Sequence, residues 1–94
     1  MLHLIQKSPF QNHCLQDCLN IAAIDDQFLL MQDGVYALQK PDFINLYPHI
    51  FVLKDDLKAR GIPVDSITHK HVKAIDYAEF VQLTLDTNKT LSWY

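Results

Sequence analysis

The sequence predicts an α/β domain: a small three-layer α/β/α arrangement around a mostly parallel sheet of four to five strands. Three observations lead there. Phe28-Leu29-Leu30-Met31 and Ile50-Phe51-Val52-Leu53 are short apolar runs without alternation, which marks strands buried on both faces of a parallel sheet. Segments with helical spacing lie between the strand-like runs, and that alternation means parallel strands joined by right-handed crossovers, with helices on both faces. Finally, the stretch from Asp26 to Leu38 organises the rest. Its apolar run is the predicted central strand, and Asp33-Gly34 ends it with a carboxylate and a residue free to take positive φ. This is the strand end where open α/β sheets place ligand and partner sites.

In chain order, Leu2 to Gln6 is a first strand of mixed alternation, ended by Lys7-Ser8-Pro9-Phe10, because proline cannot continue a central strand. A first helix follows, capped by Asn12 or by Ser8 with Pro9 in the first helical position; Asn12 is preferred for the main helix. Cys14, Leu15, Cys18, Leu19 and Ala22 then form one apolar stripe, and the helix is expected to end near Ala23 to Asp25. After the central strand, Val35 to Leu38 begins a second helical segment with Asp33 as N-cap, interrupted before Pro41. Phe43, Leu46 and Tyr47 give one further packed turn. Ile50 to Leu53 is the third strand. Asp55 or Asp56 caps a short helix through Arg60, and Gly61 with Pro63 stops it. Ile62 to His71 reads as loop and Val72 to Ile75 as the fourth strand. Asp76 caps the last helix, with Glu79 completing a capping box, and Tyr77, Phe80, Val81 and Leu85 are its expected buried stripe. Thr90 to Tyr94 reads as a tail whose Trp93 and Tyr94 either dock on their own domain or anchor a partner.

The 94 residues show no repeat, low-complexity segment or dividing linker, and are read as a single domain, 1–94. A chain of this size buries only roughly 60 to 68 per cent of its unfolded surface, so a parallel sheet needing cover on two faces gains from a neighbouring subunit. The formal net charge of -3, with Lys and Arg scattered, disfavours direct nucleic-acid binding, because phosphate neutralisation needs a basic patch. Gln6 and Lys7 break the N-terminal apolar run before a secretory core can form, and no run is long enough to span a bilayer. The expectation is a cytoplasmic protein whose two cysteines are free thiols.

The constellations that could carry chemistry are few. The turn after the first strand holds no glycine to bring backbone N–H groups to a phosphate, and no acidic pair to hold a receiver metal. No cofactor is expected. His13, Cys14 and Cys18 resemble half a zinc site without a second pair, so no metal is expected either; His69 and His71 read as a solvated pair, and His3 and His49 stand alone. No nucleophile elbow appears. Cys14 and Cys18, one helical turn apart, are either small core residues or, for Cys18, a persulfide carrier; no Lys or Arg lies within four residues of Cys18 to favour its thiolate.

Met1-Leu2-His3, Lys7-Ser8-Pro9-Phe10, Leu29 to Val35, Asp56 to Gly61 and Ile75 to Thr84, with the closing tryptophan, resemble the TusB/DsrH family from end to end, in the same order and spacing. The resemblance implies a DsrE-like fold and a place as the smallest subunit of a heterohexamer with TusC-like and TusD-like sister chains. In the TusB branch that complex relays persulfide sulfur in the cytoplasm toward 2-thiolation of the tRNA wobble uridine; in the DsrH branch it serves sulfur oxidation. The main sulfur-carrying cysteine belongs to the TusD-like subunit, so the implied role here is structural and non-catalytic. Cys18 lies where the DsrH branch carries its helix-one cysteine, whereas Cys14 has no such counterpart. The alternatives are an active persulfide carrier through Cys18 in a DsrEFH-like complex, or a stand-alone homo-oligomer of the same fold binding a small ligand.

Overall fold

The computed structural model describes residues 1–93. Five strands form one all-parallel sheet: β1 (Leu2–Ile5), β2 (Gln27–Leu30), β3 (Ile50–Leu53), β4 (Val72–Ile75) and β5 (Thr90–Trp93), in the spatial order β4-β3-β2-β1-β5. β2 is central, as its unbroken apolar run predicts. Between the strands lie α1 (Cys14–Leu19), a 3-10 helix (Gln32–Gln39) followed by α2 (Pro41–Leu46), α3 (Lys54–Ala59) and α4 (Tyr77–Asp86).

Handedness explains how these segments are distributed. The chain steps from β1 to β4 in one direction, and right-handed crossovers in one direction all fall on the same face. The step from β4 back to β5, on the far side of β1, runs the other way and carries α4 alone to the opposite face. The strand register sorts the side chains accordingly. His3, Ile5, Phe28, Leu30, Ile50, Val52 and Val72 point to the first face. There they bury Leu15 and Cys18 of α1, Val35 and Ala37 of the 3-10 helix, Phe43 and Ile44 of α2, and Leu57 of α3. Phe28 is the hub: its ring meets Tyr47 at 4.8 Å and Phe43 at 5.3 Å edge-on, and stacks on His3 at 5.2 Å. The second face is thinner, with Leu2, Leu4, Leu29 and Ile75 covered by Phe80 and Leu83 of α4.

Several sequence expectations change. The expected tail is a strand: Thr90 to Trp93 pairs in parallel with Leu2 to Ile5, and short edge strands of this kind carry too little apolar pattern to declare themselves. Trp93 docks on its own domain; Tyr94 lies outside the described residues. α1 stops at Leu19, before the expected Ala23 to Asp25, and His13 occupies its N-cap; Asn12 still serves as an outer cap, its Oδ1 accepting the Cys14 N–H at 2.7 Å. Ser8 forms a local turn instead of capping a helix, its Oγ accepting from the Phe10 N–H. Asp33 lies within the 3-10 helix and caps nothing, and Leu53 rather than Asp55 or Asp56 precedes α3. Gly34 does not take positive φ. The residue that does is Gln32, at +51°. Gly34 is needed for a different reason, since a Cβ there would stand 1.9 Å from the Ile5 carbonyl oxygen.

Other features match the reading closely. Gly61 has φ of +67°, the Gly61 N–H bonds the Lys58 carbonyl and the Ile62 N–H bonds that of Leu57, the paired bonds of a left-handed helix stop. Asp76 and Glu79 form the capping box, with bonds of 2.8 and 3.1 Å. On α4, however, only Phe80 of the expected stripe packs on the sheet; Tyr77, Val81 and Leu85 face outward. No helix among the described residues is long and apolar enough to cross a membrane.

Candidate functional site

Cys18 sits on the inward face of α1, packed on the sheet with Leu15. It is fully buried, at 0 % exposure, whereas Cys14 one turn earlier is partly accessible. Burial, with the nearby negative charge of Asp26 added, pushes the Cys18 thiol up to about 12. A thiolate there has lost its hydration and faces a carboxylate, the reverse of the electropositive, partly open setting that activates cysteines. Cys18 is thus a buried, neutral thiol packed among apolar side chains. The two thiols are free, and among the described residues no group of three His, Cys, Asp or Glu is placed to hold a metal.

Beside Cys18 lies a polar network that spacing alone did not reveal. His3, 1 % exposed, is held between Trp93 of β5 and Asp26 of the loop before β2. The indole Nε1 can only donate, and it reaches His3 Nδ1 at 3.1 Å, so Nδ1 accepts and the ring proton lies on Nε2, which donates to Asp26 Oδ2 at 2.9 Å. Asp26 also accepts the Ala23 N–H at 3.1 Å and approaches the Met1 ammonium at 3.3 Å. Burial pushes the Asp26 carboxyl up, but the bonds from His3, Ala23 and the ammonium outweigh that and hold it below the usual carboxylate range. His3 thus does not stand alone as its sequence context suggested. The one available signal was a polar residue inside an otherwise apolar strand.

At the C-terminal end of β2, where a ligand site was expected, the backbone is closed upon itself. Gly34 packs against the end of β1, with Met31 N–H on the Ile5 carbonyl at 3.0 Å. Gln32, in its left-handed conformation, gives its N–H to Asp56 Oδ2 at 2.7 Å. Arg60 reaches Asp33 Oδ1 through Nε and Nη2, both at 2.9 Å, and bonds the Asp56 carbonyl through Nη1. The carboxylates that could have faced a ligand are thus engaged in tying α3 to the strand end. His71 is likewise occupied, its Nε2 lying 2.6 Å from the Ile44 carbonyl oxygen.

This arrangement defines a class: a minimal all-parallel α/β domain whose central strand ends in a closed turn, with a neutral buried thiol and one sparsely covered sheet face. Comparison with known proteins agrees. The chain resembles, at the level of fold, protein Tm0979 of Thermotoga maritima, whose solution structure superposes with a TM-score of 0.68 over 95 % of this chain and 97 % of that one, at 25 % identity. Protein TusB of Yersinia pestis (strain Pestoides F) and that of Yersinia pseudotuberculosis serotype O:1b (strain IP 31758) are each 38 % identical over 99 % of this chain and 100 % of their own length. A family model described as DsrH like protein matches residues 7–90. The chain belongs to the TusB/DsrH family.

Proposed function

We propose that this chain is a non-catalytic subunit of a TusBCD-like sulfur-relay complex, one that supports 2-thiolation of the tRNA wobble uridine in the cytoplasm. The whole of residues 1–94 serves as one domain of that assembly, beside TusC-like and TusD-like sisters in a heterohexamer, and meets tRNA only through them. Likeness to TusB proteins over their entire length supports the relay. The observation that carries the structural role is the state of Cys18, buried and held as a thiol. A relay through this residue would need α1 to lift from the sheet at every turnover.

Two measurements test the reading. Co-expression with the TusC-like and TusD-like chains of the same genome, followed by sizing, should give a mixed complex; sister chains that assemble without this one would overturn it. Replacing Cys18 by Ala in cells should leave 2-thiouridine in tRNA within about two-fold of wild type, measured by mass spectrometry of nucleosides. Loss of thiolation with normal amounts of folded complex would instead establish Cys18 as a carrier.

A further inference from the structure

Among the described residues α4 is the only helix on the second face, and its outward half is divided in two. Tyr77, Val81 and Leu85, spaced by four residues, form an apolar arc at 61 %, 40 % and 74 % exposure. Gln82, Asp86 and Glu79 form a second arc beside the groove over β3 and β4 that Phe51 and Lys73 line. The Tyr77 ring meets Phe80 edge-on at 5.6 Å, and the arc so presents an aromatic side chain of the kind that dominates interface energetics. Glu79 accepts the Asp76 N–H and Asp86 the Gln82 side-chain amide, but among the described residues neither carboxylate has an ion-pair partner, Lys73 across the groove included.

We infer that the Tyr77-Val81-Leu85 arc is the docking surface for a non-identical chain carrying an apolar patch bordered by Lys or Arg on the side that meets Glu79 and Asp86. The inference rests on the relay-subunit reading above and assigns its contact face. Charge selects this occupant over a second copy. An antiparallel two-fold pairing of α4 with itself, the orientation in which helix dipoles attract, lays the two acidic flanks against each other. Like charges so placed oppose association, whereas a basic border opposite them strengthens it and speeds encounter. The apolar arc supplies affinity and the acidic arc supplies choice of partner.

The test uses the full chain co-expressed with its TusC-like and TusD-like sisters. A Val81→Glu, Leu85→Glu double variant should lower recovery of the mixed complex at least ten-fold, and Asp86→Lys should lower it several-fold. Raising salt should weaken the wild-type complex more than the Asp86→Lys one. All three positions are exposed, so circular dichroism and thermal midpoint should match wild type; the milder pair Tyr77→Ser, Leu85→Ala serves if the first does not fold. Wild-type recovery by a folded double variant would overturn the assignment while leaving the relay reading intact. A dimer of the isolated chain that the double variant abolishes would also overturn it, in favour of a second copy. Failure of the wild-type chain to join any sister would remove both.

Discussion

The two glycines are required for opposite reasons, and substitution separates them. At Gly34, in the 3-10 helix, the new methyl would meet the backbone carbonyl oxygen of Ile5 in β1 at 1.9 Å, an atom that no flexible side chain can move aside. Gly34→Ala should cost about 3 kcal/mol, the upper part of the range for overpacking, measured as a lower urea midpoint with unchanged slope. At Gly61 there is open space and only the positive φ opposes a side chain, so Gly61→Ala should cost about 1 to 2 kcal/mol. The sequence marks both residues as turn glycines and distinguishes neither, because a close approach between the 3-10 helix and the end of β1, far apart in the chain, leaves no local trace. The cysteines separate similarly: a thiol-alkylating reagent at pH 8 should modify Cys14 in the folded protein and reach Cys18 only in denaturant, since the Cys18 thiol is buried and pushed up to about 12. Asp26 sets an acid limb of stability. Its carboxyl lies lower in the folded chain than in the unfolded one, so its contribution is complete above the unfolded value of about 3.9 and fades as pH falls through the folded value. Asp26→Asn should flatten the rise of stability with pH below the unfolded carboxylate value of about 3.9 in unfolding titrations.

The elements were legible in proportion to how local their causes are. α3 stops where Gly61 and Pro63 say it should, and α4 starts on its capping box, because those signals act within five residues. β2 and β3 declare themselves by apolar runs that only two-sided burial explains. β5 does not: three of its four residues are exposed, and it exists because β1 offers an unpaired edge and because Trp93 finds His3. The outward stripe on α4 escaped for a related reason, since apolar spacing identifies a surface to be covered without saying by what. The Trp93 bond can be weighed directly. Trp93→Phe keeps much of the packing, removes the indole donor to His3 Nδ1, and should cost about 1 to 2 kcal/mol. Hydrogen exchange should then quicken at the amides of β5 well before those of β2, since the loss is confined to the outer strand.

Taken whole, the molecule is lopsided. One sheet face carries the helices of three crossovers and a contiguous aromatic core, while the other relies on a single ten-residue helix. A chain so small has little stability in reserve, and anything that binds only the folded form adds to it by mass action. Sister chains at 100-fold over their dissociation constant should therefore stabilise it by about 2.7 kcal/mol, visible as a raised thermal midpoint for the mixture compared with the separate components. The place of β5 has a further consequence for synthesis. Because the first strand is flanked on one side by the last, a ribosome must release residue 93 before β1 gains its second neighbour and His3 its indole donor. Nascent chains halted anywhere short of that point carry a sheet with one raw edge at its oldest strand, so β1 is completed only once residues 90–93 are free to pair with it.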